Sequence, residues 1–213
     1  IADGFNGSKR IGKGTSMRNC ALLSTLHMVI FWCVLQTTLL TLLRGRAHFG
    51  EVSGHIIVNG RRCKSLKDYA RTIGFAPQDD ILYDDLTVEE NLIYAAILFN
   101  KRGFYDEKAV MGMVRHVLDM LGLDFVRHSI VGDTEKKGIS GGQKKRVSVG
   151  IEFVKEPALL LLDEPTSGLD AATSFSLLHS LHHLSNRGVT VVATIHQPRR
   201  EVSWSSLDTD MHH

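Results

Sequence analysis

The sequence predicts an α/β fold built on a parallel sheet, and two stretches carry that expectation. "ALLLLDEP" (158–165) is a continuous apolar run stopped by two acids, and "GVTVVATIH" (188–196) is a second apolar run. A run with no polar face is the pattern of a strand buried on both sides of a parallel sheet. Between them Leu177, Leu178, Leu181 and Leu184 recur at helical spacing, and Gly188 follows as a stop. Strand, helix and strand of these lengths make a βαβ unit.

The remaining elements follow in chain order. Residues 1–19 ("IADGFNGSKRIGKGTSMRN") are glycine-rich and basic without apolar periodicity, so they read as loop. Residues 20–43 hold no Asp, Glu, Lys or Arg over 24 positions. By length alone that suffices for a membrane span, which takes about 20 apolar residues. "GHIIVNG" (54–60) is a short strand closed by an Asn-Gly turn, and "TIGFAPQDD" (72–80) is a strand that runs into a loop at Pro77. Thr87 followed three residues later by Glu90 is a capping-box pattern, and it opens a helix through about Phe99. From Asp106 the apolar positions Val110, Met113, Val114, Val117, Leu118 and Leu121 recur at helical spacing, and Gly122 ends that helix. No internal repeat and no low-complexity tract interrupts the pattern.

Composition excludes several classes. The 213 residues suffice for one large domain or for a piece of something bigger. A formal net charge of +2 exerts no strong pull toward nucleic acid. The three cysteines, Cys20, Cys33 and Cys63, are odd in number and form no C-x-x-C pair, which fits a reducing compartment and argues against a disulfide scaffold or a zinc site. Among the eleven histidines, neither His182-His183 nor His212-His213 has metal-ligand spacing; all but His196 read as solvent-facing.

Four features carry chemistry. Asp163 stands at the carboxyl end of an apolar strand, where open α/β sheets bind their ligands. A carboxylate there can hold Mg²⁺ on a nucleotide, in the Walker B arrangement. Glu164, next in line, points elsewhere and can orient or deprotonate an attacking water. In "ISGGQKKRVSVGIE" (139–152), Ser140 with Gln143 three residues on forms another capping box, and Gly141 and Gly142 leave the first amides of the helix uncovered. A helix terminus with bare amides and a serine hydroxyl is an anion site suited to a γ-phosphate; the plainer reading is a helix start with a basic face from Lys144, Lys145 and Arg146. Gln78 lies in the loop after a strand, where it can contact Mg²⁺ and water. His196 lies at the carboxyl end of "VTVVATI", where strand order would set it beside Glu164 and a terminal phosphate. Each of the last two means little by itself.

Taken together, their order and spacing resemble the nucleotide-binding domain of ATP-binding-cassette transporters. In that resemblance "SGGQ" (Ser140, Gly141, Gly142, Gln143) is the signature, "LLLLDE" the Walker B, "SGLD" (Ser167, Gly168, Leu169, Asp170) the D-loop, Gln78 the Q-loop and His196 the switch histidine. The finer wording, "GFAPQDD", "LTVEENL", "DEPTSGLD" and "TIHQPR", is similar to the G branch, the White-type half transporters. The likeness runs from about Thr37 to about Arg199. It implies a P-loop-NTPase-like parallel sheet core with a helical signature subdomain around residues 84–150. Residues 1–36 and 201–213 then lie outside the cassette, which occupies 37–200.

The resemblance also exposes a gap. The family's G-x-x-x-x-G-K-[ST] loop, whose amides wrap the phosphates and whose lysine reaches the β/γ oxygens, falls at residues 30–37. Here Ile30 and Leu35 stand for the glycines and Gln36 for the lysine, and only Thr37-Thr38, "LL" and "GRAHFG" keep the pattern. Neither apolar side chain readily supplies the tight positive-φ turns of such a loop, and Gln36 brings no charge. "GSKRIGKGTS" offers Gly7, Gly12 and Lys13, but Gly14 stands where Ser or Thr should, and too little chain precedes it for the strand such a loop follows. Three explanations stand for residues 1–36: a frame break or mispredicted exon, a degenerate loop in a subunit silent at that site, or a membrane span at 20–43 flanked by Arg18, Arg44 and Arg46. The span conflicts with the helix the family pattern sets at Thr37–Leu43.

The resemblance implies an ATPase that works with ATP and Mg²⁺ as a head-to-tail homo- or heterodimer with a second cassette subunit. It sits on the cytoplasmic side of a membrane whose transmembrane domain is not in this chain, and it powers movement of a substrate such as a lipid or other hydrophobic molecule. Thr37, Gln78 and Asp163 would serve Mg²⁺, with Thr38 beside them at the nucleotide. Glu164 would handle the attacking water, and Gln78 and His196 would sense the γ-phosphate. Ser140, Gly141, Gly142 and Gln143 would clamp the partner's nucleotide. One alternative is a catalytically degenerate subunit that only completes a partner's site; another is a soluble cassette ATPase with no transport role. The chain stops soon after the switch histidine, so any translocation path is expected outside it.

Overall fold

The computed structural model describes residues 10–11, 15–16, 21–25, 28–32, 36–44, 56–58, 61–63, 66–99, 106–133 and 135–195. Two short strands, β1 (Arg10–Ile11) and β2 (Thr15–Ser16), pair antiparallel. They precede β3 (Ala21–Thr25), β4 (Met28–Trp32) and helix α1 (Gln36–Leu43). A second antiparallel pair, β5 (Ile56–Val58) and β6 (Arg61–Cys63), leads to β7 (Ile73–Ala76). Three helices follow: α2 (Val88–Leu98), α3 (Glu107–Met120) and α4 (Gly141–Phe153). The last unit is β8 (Leu159–Asp163), α5 (Ala171–Asn186) and β9 (Thr190–Thr194).

Five strands form one sheet in the order β3-β4-β9-β8-β7. The four from β4 to β7 are parallel to their neighbours, and β3 runs antiparallel on the flank of β4. β8 sits inside this sheet, with Leu161 opposite both Phe75 and Val192. Its side chains alternate between two cores, as a strand's period of two requires. Leu161 joins Val192, Leu39 and Leu40 of α1 on one face. Leu160 and Leu162 join Leu177, Leu178, Leu181 and Leu184 of α5 and the helical layer on the other. That double burial is why 159–162 carries no polar residue.

The helical layer forms for local reasons. Thr87 accepts from the Glu90 amide while the Glu90 carboxylate accepts from the Thr87 amide, closing the box that starts α2. Asp106 caps α3 through the Lys108 amide, and Gly122 leaves that helix at φ 60°. Val110, Val114, Val117 and Leu118 turn one stripe of α3 toward Leu92 and Val147. Gly150 lets α4 lie close, since a β-carbon there would stand 3.0 to 3.2 Å from Leu92, Leu121 and Val117.

One of the three explanations for the N-terminal segment, and the loop expectation for residues 1–19, need correction. Residues 20–43 do not form one membrane-length helix. They supply the hairpin β3–β4 and then α1, and among the described residues no helix is long and apolar enough to cross a membrane. An apolar run bounded by neither Gly nor Pro fits a strand as well as a helix, and the parallel pairing of β4 with β9 settles it for residues 28–31. Residues 1–19 are not loop throughout, because Arg10–Ile11 and Thr15–Ser16 pair around "GKG". That antiparallel pair differs from the strand–loop–helix shape of a phosphate loop.

Candidate functional site

The carboxyl ends of β7, β8 and β9 converge, since Ala76 pairs with Leu162 and Asp163 with Thr194. Asp163 is buried, and one of its oxygens accepts from the Thr194 hydroxyl at 3.0 Å. The same Thr194 oxygen accepts from the Glu164 amide at 3.0 Å, so one threonine fixes both acidic positions. Glu164 leaves the strand at φ 47°, in the left-handed region that L side chains rarely enter. Its carbonyl accepts from the Ser167 amide at 3.0 Å. This turn swings the Glu164 carboxylate away from Asp163 and toward Gln78, whose side-chain amide donates to Oε2 at 3.2 Å. Chain neighbours thus take opposite environments, one buried under Thr194 and one half-exposed beside the loop after β7.

The second half of the site is the start of α4. Ser140 caps it by accepting from the Gln143 amide at 3.3 Å, and the Gln143 side chain accepts from the Ser140 amide at 2.8 Å. Ser140 and Gly141 are exposed; Gly142 is buried against α5. A β-carbon at Gly142 would stand 2.0 Å from Cγ2 of Thr173, so only glycine admits the present approach of the two helix starts. Gly168 takes φ 73°, and Asp170 caps α5 by accepting from the Thr173 amide at 2.7 Å. The Thr173 hydroxyl and then its amide hold the Asp170 carboxyl below its ordinary range. Ser167, Gly168, Leu169 and Asp170 therefore lie between the carboxylate cluster and the capped end of α4, with Leu169 Cδ2 4.0 Å from where a β-carbon on Gly141 would stand.

The structure brings Gln78, Asp163 and Glu164 together and sets Ser140, Gly141, Gly142 and Gln143 beside the 167–170 turn. Thr37 and Thr38 fall in the first turn of α1, which follows β4 as a phosphate-loop helix would follow its strand. His196 lies outside the described residues, which end at Ile195 alongside the Asp163 end of the sheet.

Sequence reasoning missed Lys145. The basic-face reading of Lys144, Lys145 and Arg146 fails in detail. Lys144 donates to the Gly132 carbonyl, and Arg146 donates to Ser176 Oγ at 2.6 Å. Lys145 is buried, donating to the Gln78 carbonyl at 2.6 Å with its ammonium 2.9 Å from Asp80 Oδ1. The clue was positional: Lys145 shares the i, i+3, i+4 stripe with Gly142, Ser148 and Val149, which are all buried.

A buried carboxylate at a strand end, a polar loop facing it and an open capped helix start define a parallel α/β nucleotide-binding domain. The chain belongs to the ATP-binding-cassette transporter family: the family described as ABC transporter matches residues 36–167, and the chain's relatives place it among the G-type nucleotide-binding domains. It is 47% identical over 163 residues to ABC transporter G family member 25 of Oryza sativa subsp. japonica, covering 76% of this chain and 16% of that protein. It is 48% identical over 163 residues to ABC transporter G family member 28 of Arabidopsis thaliana, covering 76% of this chain and 14% of that protein. ABC transporter G family member 14 of Arabidopsis thaliana is 44% identical over 168 residues, 78% of this chain and 25% of its own length. The chain thus spans a quarter or less of the length of these relatives.

Proposed function

We propose that this chain is the ATP-handling cassette of a G-type transporter subunit, acting in a head-to-tail dimer with a second cassette subunit to drive a lipid or other hydrophobic substrate across a membrane. The observation that carries the reading is the contact between Gln78 and Glu164 beside buried Asp163. It assembles Q-loop and Walker B at one strand-end edge.

The donor set fits a hard cation, which takes oxygen ligands. Asp163 supplies a carboxylate, with Gln78 and Thr37 as the further ligands that the family likeness suggests. Mg²⁺ with ATP would supply charge neutralisation at the β- and γ-phosphates. Thr194 holds the Asp163 carboxylate in place. Glu164, half-exposed and turned out of the strand, orients the attacking water and accepts its proton. Gln78 holds Glu164 in position, and His196 would approach from the end of β9. Gly141 and Gly142 present their amides and Ser140 its hydroxyl to the partner's γ-phosphate, with Gln143 locking the cap through the Ser140 amide. The 167–170 turn links that helix start to the carboxylates. The cassette is read as residues 37–200 with the helical unit at 84–150, held at the cytoplasmic face by the transmembrane part of the transporter.

A second reading has its own support. The stretch from 16 to 43 holds neither glycine nor lysine, so Ile30, Leu35 and Gln36 give little grip on phosphate. In that reading the chain only completes the ATP site of a partner through Ser140–Gly142.

One experiment tests both. The chain is mixed with a cassette that has an intact phosphate loop and a disabled signature, and ATP hydrolysis is measured with and without Ser140→Arg here. Both readings expect a gain that Ser140→Arg removes, because a bulky cation covers the amides. The reverse partner, with an intact signature and a disabled phosphate loop, divides them: hydrolysis that Glu164→Gln in this chain removes supports hydrolysis on this side, and no hydrolysis supports the signature-only reading. A folded mixture without gain overturns both.

A further inference from the structure

We propose that Lys145 is a positioning residue that couples the Gln78 loop to the signature helix within one subunit. The proposal rests on the cassette reading above and adds a mechanical link to it. Lys145 Nζ donates to the backbone carbonyl of Gln78 at 2.6 Å and lies 2.9 Å from Oδ1 of Asp80, two residues further along the same loop. The lysine is 5% exposed. Its directed hydrogen bond goes to the carbonyl. Asp80 Oδ1 receives charge without an aligned bond and has no hydrogen-bond partner among the described residues.

A buried ammonium tolerates its site only while paired and hydrogen-bonded. The loop at 78–80 therefore cannot shift away from α4 without stripping partners from Lys145. Two consequences follow. The carbonyl of Gln78 is pinned, so its side chain reaches Glu164 from a fixed root. Lys145 also stands two residues beyond Gln143, whose side chain closes the cap on Ser140. A displacement of Gln78 is therefore passed to the end of α4 that carries Ser140, Gly141 and Gly142. Surface lysines have no such role, because an exposed ammonium re-pairs with water when its partner leaves. A contiguous, packed link of this kind is a physical route for coupling between sites.

The test separates the directed bond from the charge. Two double variants, Lys145→Met/Asp80→Asn and Lys145→Gln/Asp80→Asn, both remove the buried charges, and only the second keeps a donor for the Gln78 carbonyl. Amide hydrogen exchange of the whole chain is followed in peptides covering 77–82, 140–144 and 171–186. The methionine variant is expected to exchange about tenfold faster at 77–82 and 140–144, the size of one lost hydrogen bond to a charged donor, with 171–186 unchanged. The glutamine variant is expected to keep most of the wild-type protection. Equal exchange in the two variants, or acceleration spread evenly into 171–186, overturns the proposal and leaves Lys145 as the charge partner of Asp80 alone. In the mixed-cassette assay the methionine variant should lose its gain. If the wild-type chain itself gives no gain there, the cassette reading fails while the exchange comparison still decides the role of Lys145.

Discussion

The side-chain amide of Gln78 donates to Oε2 of Glu164 at 3.2 Å, although 86 positions separate the two residues. Parallel pairing of β7 with β8 ends both strands at the same edge, so the next residues of each meet. The contact requires Glu164 to turn at φ 47°, out of line with Asp163. Two adjacent acids thereby acquire different surroundings.

The isolated chain is expected to turn over Mg-ATP only slightly. Ile30, Leu35 and Gln36 replace the groups that would grip the phosphates, and contacts of that kind are each worth about 3 kcal/mol in the transition state. Steady-state phosphate release measures it. Turnover at the level of an intact cassette, abolished by Glu164→Gln, would refute the expectation.

The left-handed turn at Glu164 should be readable as strain. Glu164→Gly and Glu164→Ala both delete the carboxylate and its bond to Gln78, yet only alanine keeps the β-carbon that disfavours φ 47°. The glycine variant should be the more stable by about 1 kcal/mol in denaturant titration. Equal midpoints would show the turn to be unstrained.

Gly142→Ala should destabilise the domain by about 2 kcal/mol, because a β-carbon would stand 2.0 Å from Thr173 Cγ2 and a β-branched side chain in a helix yields little. Thr173→Ser removes that methyl and keeps the hydroxyl. In the double variant most of the loss should return, a coupling that thermal unfolding of the four proteins measures. Independent, additive losses would place the clash elsewhere.

Acid should weaken the caps. The Thr87 amide and then its hydroxyl hold the Glu90 carboxyl below its ordinary range, and Thr173 does the same for Asp170. Lowered folded-state values mean that the unfolded chain binds more protons, so stability rises with pH through this window. The contribution is complete above the unfolded values and disappears as pH falls below about 4 through the folded ones. Asp170→Asn, which still caps, should flatten the fall in thermal midpoint between neutral and acid pH. An unchanged slope would exclude Asp170 as a contributor.

Local grammar was legible in the sequence where the structure depends on neighbours in the chain. Thr87 with Glu90 and Ser140 with Gln143 needed only three-residue spacing, and both boxes close as read. The runs at 159–162 and 191–193 were legible because burial on two faces leaves them no polar residue. Residues 20–43 were ambiguous because the same apolar content suits a span, a strand or a helix, and only the pairing of β4 with β9 decides for residues 28–31. Lys145 was illegible as a buried residue because its burial depends on Gln78 and Asp80, a long way off in sequence. Glu152 is similar: its carboxylate accepts from the Phe75 amide at 3.0 Å, 77 positions away, which no spacing rule reveals.

The pairing of β7 with β8 makes the order of assembly a matter of loop closure. Everything from Pro77 to Ala158, including α2, α3 and α4, lies between these two strands. Bringing their ends together closes a long loop, and the entropy of that closure is lost before the strand contacts repay it. If α2 to α4 collapse first on their own short-range contacts, the span left to close is far smaller. Helix-stripe residues such as Val114 and Leu118 would then govern the refolding rate, while Leu160 and Leu162 would govern mainly the unfolding rate. Refolding and unfolding kinetics of alanine variants at these four positions distinguish this sequence of events from one in which the sheet forms first.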